Sequence, residues 1–550
     1  MAGGGQLVLI ATGAQNQQIN GNPQETFFYK VFKRHTHFAQ ENITISVDGP
    51  NELSMDSQVR LRAKIPRHAD LMADLTFVFD LPEIYSKIYP TEDQQTRIPA
   101  FRWIHQIGAH IIQSAAIFIG GTKIQEFPGE WIAARATIDY TADRYLKWRQ
   151  MIGDVPELHS PEWGIYGKAA NYPYQRGEYP SAIYDAESGG SQAPSIPGRT
   201  LRVPIPFWFT ESWGAALPLV ALQLHEVEVQ FTLRPLRELY RIADINYNTE
   251  PIKPGRMLIP DPRYPTRNDP TLPSPPYENL TLQNAYQSTD TDSLAWINNY
   301  FIPEDPNAVV PTLQTFNMNP RLEATYLYVT EKEQVMFAER VLGYLVHQVQ
   351  TFVNASVTSR TRFDLELHGL LSRIVFFGRR SDAIESRNDF INLSNWKSLT
   401  QAPYVPLSVG APQPNSGMAI PFYGARDVLS SARLLVAGNE VYEEKPAQFF
   451  EVATAYSHAE GSGLAGLNPG AIKPDDVMGP IYQFPFALNM SDHVQPSGSL
   501  NSSRVREVQL EVNPTPLDPA GFYVYDFTVH VETMNLVKIQ NGMGALGWAI

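Results

Sequence analysis

Two stretches of this chain alternate apolar and polar residues one for one. In Glu226-Val227-Glu228-Val229-Gln230-Phe231-Thr232-Leu233, the residues Val227, Val229, Phe231 and Leu233 share one side and the polar residues share the other. Near the C-terminus Tyr523, Tyr525, Phe527, Val529 and Val531 face one way, while Asp526, Thr528, His530 and Glu532 face the other. A period of two belongs to a β-strand, since a helix would scatter the same residues around its circumference. Each stretch reads as a half-buried antiparallel strand, and each half of the chain is expected to close with one.

The rest of the composition agrees with a β protein. The chain has 44 Pro, 36 Gly and 11% aromatic residues, which describes strands and turns better than helices. Short strand-like runs occur at Ile43 to Val47, Gln58 to Ile65, Leu75 to Asp80 and Ile111 to Ile119, with turn residues such as Asp48-Gly49-Pro50 and Gly120-Gly121 between them. That spacing is the pattern of a sandwich. At 550 residues the chain exceeds what one core usually serves, so two domains of similar size are expected.

An internal repeat points the same way. Ile117-Phe118-Ile119-Gly120-Gly121-Thr122-Lys123-Ile124-Gln125-Glu126 can be laid on Leu434-Leu435-Val436-Ala437-Gly438-Asn439-Glu440-Val441-Tyr442-Glu443. Its physical content is a strand, a Gly-assisted tight turn and a returning strand, used twice. Glu226-Val227 can be paired with Glu507-Val508 in the same way, although such dipeptides are common. Leu322 to Val329 is expected to open the second domain, and Thr330 with Glu333 forms a capping-box pattern that starts a short helix through Arg340. Between the halves, Pro251 to Pro306 is dense in proline and reads as a long surface connection, and residues 153 to 200, with Ser188-Gly189-Gly190-Ser191, read as a second loop excursion.

Several function classes lose ground. The chain has no Cys, which removes disulfides and thiol chemistry. Leu7-Val8-Leu9-Ile10-Ala11 is too short and lacks the basic flank of a signal sequence, so a soluble, non-secreted protein is expected. A net charge of −14 argues against sequence-independent binding of nucleic acid by the whole surface. Lys30, Lys33, Arg34, His35 and His37 form one local basic, aromatic-interleaved patch that suits an acidic partner or genome or, more plainly, a solvated strand face.

The candidate chemical motifs each have a plainer reading. Gly542-Met543-Gly544-Ala545-Leu546-Gly547 matches a dinucleotide-binding pattern, but only three residues follow it and no phosphate-binding helix fits there, so a flexible tail is expected. His35 and His37 lack a third metal ligand at suitable spacing, and Asp290-Thr291-Asp292 sits in a Ser/Thr-rich loop where a turn is the safer reading. Glu226 and Glu228 point the same way from one strand and resemble an acid and base pair only in spacing. Sequons stand at Asn42, Asn279, Asn354, Asn392, Asn489 and Asn501. No catalytic, cofactor-binding or metal-binding residue is assigned, and no cofactor is expected.

Blocks spread along the chain carry a resemblance. Gly21-Asn22-Pro23-Gln24-Glu25-Thr26-Phe27-Phe28-Tyr29 through Phe38, Phe101-Arg102-Trp103, Ile119 to Ile124, Gly129-Glu130-Trp131 and Val203-Pro204-Ile205-Pro206-Phe207-Trp208-Phe209 occur in order. Ala216 to Gln223, Tyr482 to Leu488, Gln495-Pro496-Ser497-Gly498, Asn501-Ser502-Ser503-Arg504 and Asn541 to Gly547 follow. Together they resemble the double jelly-roll major capsid proteins of nucleocytoplasmic large DNA viruses, with no match over about 153 to 200 and 240 to 320.

The resemblance implies a mainly β fold of two consecutive eight-stranded antiparallel jelly rolls with long loop insertions and few short helices. It divides the chain into an arm (1–25), a first roll (26–240), a Pro-rich connection (241–320) and a second roll with a Gly-rich tail (321–550). It also implies a non-enzymatic subunit that forms homotrimeric, pseudo-hexameric capsomers in an icosahedral shell, assembled in host cytoplasm and located in the virion. The implied partners are neighbouring capsomers, minor capsid and penton proteins, host-surface glycans at the outer loops and, indirectly, an inner membrane, without sequence-specific nucleic acid. The rival readings are a two-roll carbohydrate-active hydrolase or amidase and a glycan-binding attachment protein.

Overall fold

The computed structural model describes residues 6, 13–84, 89–90, 96–97, 99–159, 184–185, 191–192, 196–244, 316–385, 387–396, 426–461, 478–505, 507–519 and 523–548. Asp290 to Asp292, the sequon at Asn279, the run Leu7 to Ala11, and most of the 153–200 and 241–320 segments lie outside these residues.

In the first half, β1 (Phe38–Ser46), β2 (Val59–Lys64), β3 (Leu71–Leu81), β4 (Ile112–Ile119), β5 (Thr122–Phe127), β6 (Arg199–Pro204), β7 (Val227–Leu233) and β8 (Arg321–Val329) form two antiparallel sheets. Their orders are β1-β8-β3-β6 and β2-β7-β4-β5. The sheets face each other, with Phe77 of β3 stacked on Phe231 of β7 at 4.8 Å between ring centroids. The alternation at 226–233 does what its period requires, because Val227, Val229, Phe231 and Leu233 are all buried.

The second half contains β9 (Leu342–Val357), β10 (Thr361–Leu365), β11 (Leu370–Arg380), β12 (Leu429–Val436), β13 (Asn439–Pro446), β14 (Tyr482–Pro485), β15 (Val508–Pro514) and β16 (Tyr525–Gln540). Its sheets run β9-β16-β11-β14 and β10-β15-β12-β13, which is the first order with every label advanced by eight. Short strands add to both halves: Leu217–Pro218 pairs with β3, and Leu500–Asn501 pairs with β11. The fold is a double jelly roll.

The repeat read from sequence is structural. Gly120 and Gly121 have φ of +57° and +80°, and Ala437 and Gly438 have +50° and +78°, so both hairpins turn through two left-handed residues. Ile119 pairs with Val227, and Val436 pairs with Val508. The Gly120 N–H donates to the Glu226 carbonyl at 2.9 Å, and the Ala437 N–H donates to the Glu507 carbonyl at 2.8 Å.

Three expectations need correction. Leu322 to Val329 was expected to open the second roll, yet β8 lies between β1 and β3 and is an inner strand of the first. The Pro-rich 241–320 segment is therefore an insertion before the first roll's last strand. Residues 26–37, assigned to the first roll, make no strand and run as an exposed arm into β1. The Gly-rich terminus, expected as a flexible tail, returns after Asn541 (φ +53°) and Gly542 (φ +79°) as β17 (Met543–Leu546), paired with β16. It packs against the first roll, where the Leu224 N–H donates to the Gly542 carbonyl at 2.9 Å.

The helices are few among the described residues. After β5 come α1 (Gly129–Asp139) and α2 (Ala142–Met151), and α3 (Glu331–Glu339) links the rolls. The Glu333 N–H donates to the Thr330 carbonyl at 2.8 Å, while the Thr330 hydroxyl donates to the Glu333 carboxylate at 3.3 Å, a variation on the expected capping box.

Candidate assembly site at the junction of the rolls

Helix α1 can lie tight against the first roll because it begins with glycine. A Cβ on Gly129 would stand 2.1 Å from the Ala109 carbonyl oxygen and 2.2 Å from that of Ile112. The other side of the helix meets the second roll. One apolar cluster accordingly runs through both halves, joining Phe77, Trp131 and Ile138 to Val375, Phe377, Val537 and Ile539. Ile374, Phe376, Phe527 and Val529 belong instead to a separate cluster inside the second roll. Strand β11 thus serves two cores, with Leu371, Ile374 and Phe376 turned into the second roll and Arg373, Val375, Phe377 and Arg379 turned towards α1.

The same division corrects the reading of the C-terminal alternation. Tyr525, Phe527, Val529 and Val531 fill the second core as expected, but His530 and Glu532 on the polar face are only 0% and 1% exposed. That face is covered by the first roll. Buried charge must be paired, and here it is. The Arg373 guanidinium donates twice to Asp139 at 2.8 Å and, through Nε, to Glu532 at 2.8 Å. Arg135 donates to Glu211 at 2.6 Å, and Arg379 donates to Glu130 at 3.0 Å.

Two histidines complete the cluster. His347 Nδ1 lies 2.5 Å from Glu532, and His493 lies 3.1 Å from Asp139 and 3.3 Å from Glu532. Burial alone would raise the Asp139 and Glu532 carboxyls, but Arg373 beside both, with His493, holds them well below the usual carboxylate range. His347, His493 and Glu532 have atoms close enough to share a cation, as do His105, Asp154 and His159. In each set, however, a guanidinium already neutralises the carboxylate, Arg373 at 2.8 Å and Arg149 at 2.6 Å. Both arrangements are ion-pair networks.

The rolls also meet edge to edge. Gln125 of β5 donates to the His347 carbonyl at 2.7 Å, and Gln348 of β9 donates to the Ile124 carbonyl at 2.9 Å. The equivalent edges, β13 of the second roll and β1 of the first, are exposed along most of their length.

The residues singled out from sequence lie elsewhere. Lys30, Lys33, Arg34, His35 and His37 are exposed on the arm beside Phe27, Phe28 and Phe32. Thr36 ties that arm to α3 by donating to Glu333 at 2.7 Å. Glu226 pairs with Lys64 at 2.9 Å, and Glu228 pairs with Arg62. Those hydrogen bonds lower both carboxyl pKa values, the opposite of what a general acid needs. Of the described sequons, Asn392 is 1% exposed and bonded to the Trp396 carbonyl, so the folded chain offers no room for a glycan there.

Comparison with known proteins decides the family. Residues 26–255 match the family model for the major capsid protein N-terminus, and residues 333–545 match that for the large eukaryotic DNA virus major capsid protein. The chain belongs to this family of viral major capsid proteins. It is 23% identical to the major capsid protein of Phaeocystis pouchetii virus and 21% identical to that of Paramecium bursaria Chlorella virus 1, covering 99% of both chains in each case.

Capsid protein 1 of Acanthamoeba polyphaga mimivirus is 31% identical over 44% of this chain and 36% of its own length. Among solved structures, the PBCV-1 virus capsid gives a TM-score of 0.59 at 16% identity, covering 96% of this chain and all of that one. The Faustovirus major capsid protein gives 0.58 at 12%, covering 96% and 94%. These likenesses establish the double jelly-roll fold of this capsid-family chain.

Proposed function

We propose that this protein is a major capsid subunit that forms homotrimeric, pseudo-hexameric capsomers tiling the icosahedral shell of a large DNA virus. The observation that carries the reading is the unequal use of equivalent edges. Within the chain, β5 of the first roll sits against β9 of the second, whereas their counterparts β13 and β1 remain exposed. A contact that joins different patches head to tail repeats from copy to copy until the rotation closes. Setting β13 of one chain against β1 of the next repeats the internal junction, and three chains complete a ring of six rolls. The basic arm beside β1 then comes close to Glu440, Glu443 and Glu444 of the neighbour's β13.

Rigid sandwiches supply the walls of such a ring and leave the loops at its ends free to vary. Contacts between subunits should be large, on the order of 2,000 Å² or more, with weaker contacts between capsomers summed over the lattice. The further partners we assign are minor capsid and penton proteins, with outer loops available to host glycans and an inner membrane reached indirectly. Assembly is assigned to host cytoplasm, and the role is structural and non-enzymatic.

The test is a charge placed in the proposed ring contact. Val441 is 52% exposed on β13, so Val441→Glu should leave the fold intact and shift sedimentation from trimer to monomer. A variant that stays trimeric would remove this contact from the proposal, and a wild-type chain that is a stable monomer at micromolar concentration would remove the capsomer.

A further inference from the structure

Around His493 the carboxylates outnumber the buried guanidiniums. Arg135 and Arg373 face Asp139, Glu211 and Glu532, so two permanent cations stand against three carboxylates in a buried site. One further positive charge brings the cluster to neutrality, and His493 is placed to supply it. Its ring lies in the 486–505 segment, 5% exposed, with Asp139 of α1 at one nitrogen and Glu532 of β16 at the other. The groups that face it from every packed element are Arg135 and Asp139 of α1, Glu211 before β7, His347 of β9, Arg373 of β11 and Glu532 of β16.

Two hydrogen-bond arrangements fit the same geometry. With protons on both nitrogens, His493 donates to Asp139 at 3.1 Å and to Glu532 at 3.3 Å, tying the first half of the chain to the second. With one proton, on Nδ1, it keeps Glu532, and Nε2 instead accepts from Arg135 Nε at 3.3 Å. Asp139 then retains Arg373 and the Ser491 hydroxyl but loses the imidazole. Asp139 and Glu532, both almost fully buried, then face each other without the imidazole's positive charge.

We propose that His493 is a proton-operated latch between the two rolls: doubly protonated, it bridges Asp139 and Glu532 and locks the junction, and on losing one proton it releases Asp139 and the rolls loosen. The direction of its titration agrees. Burial and Arg135 pull the imidazole down, but Glu532 and Asp139 outweigh them, and its pKa lies above the ordinary value. A group raised in the folded state contributes stability that is fully present below its unfolded pKa of about 6.5 and is lost as pH rises through the folded value. His347 behaves oppositely, because burial outweighs Glu532 and keeps it neutral.

The experiment uses the full chain. Imidazole C2-hydrogen exchange, read residue by residue by mass spectrometry from pH 5 to 9, gives each histidine its midpoint, and backbone amide exchange over α1 and residues 486–495 reports the junction. His493 should titrate above 6.5, and junction exchange, after correction for the base catalysis common to all amides, should accelerate several-fold at the same midpoint. The Tm difference between wild type and His493→Gln should shrink by at least half across that midpoint, while the His347→Gln difference should not. A His493 midpoint at or below 6.5, or junction exchange that does not follow it, overturns the latch even where a variant fails to fold.

Discussion

Arg373 shows how much one residue can hold. It sits in a mostly apolar stretch, Leu370-Leu371-Ser372-Arg373-Ile374-Val375-Phe376-Phe377, and is completely buried. Replacing it with Met would take from Asp139 and Glu532 the guanidinium they share, which should cost about 3–5 kcal/mol. Denaturant unfolding of Arg373→Met against wild type measures this, and a loss below about 1 kcal/mol would show that Arg135 and the two histidines hold the carboxylates without it.

The buried histidines set the acid response. Burial pulls His110 down to about 3 and His530 to about 4, and also lowers His159 and His347. The unfolded chain therefore takes up protons near pH 6.5 that the folded chain refuses, and stability should fall as pH drops below that point, by about 1.4 kcal/mol per unit for each histidine. Unfolding curves at pH 7, 6 and 5 that superimpose would contradict this.

At the scale of elements, the hairpin turns carry the clearest sequence signal. Left-handed pairs favour glycine, and Ala437 at φ +50° stands where the first roll has Gly120. Ala437→Gly should therefore stabilise the chain by about 0.5–1 kcal/mol, relief of left-handed strain less the glycine entropy cost; a fall in Tm would mean that the turn is not strained. This is why the repeat was legible before any coordinates: a turn with two positive φ angles restricts residue choice locally.

Strand β8 was legible as a strand through its alternation, which puts Leu322, Ala324 and Tyr326 on one face. Its partners were not, since pairing across a long insertion leaves no mark in the strand's own residues. The junction escaped for a related cause. Alternation at Tyr525 to Glu532 tells which residues share a face, but not whether water or a second roll covers the polar one. Arg373, set among the apolar residues of β11, was the available clue.

At the scale of the whole molecule, the shared apolar cluster ties the fate of one roll to the other. Val375, Phe377, Val537 and Ile539 belong to a core completed by the first half. The second roll produced alone, residues 330–550, should expose that surface and bind hydrophobic dyes or aggregate; a soluble, dye-silent second roll would show that it closes unaided. The proposed trimer should resist heat better than any dissociated chain, because large obligate interfaces stabilise by mass action.

The late arrival of β8 also bears on synthesis. Domains usually fold in order as the ribosome delivers them, but here the inner strand that joins β1 to β3 is translated only after everything from Leu233 to Arg321 has emerged. A nascent chain stalled within that insertion holds β1 with no neighbour, so the first sandwich stays open until translation has nearly reached the second.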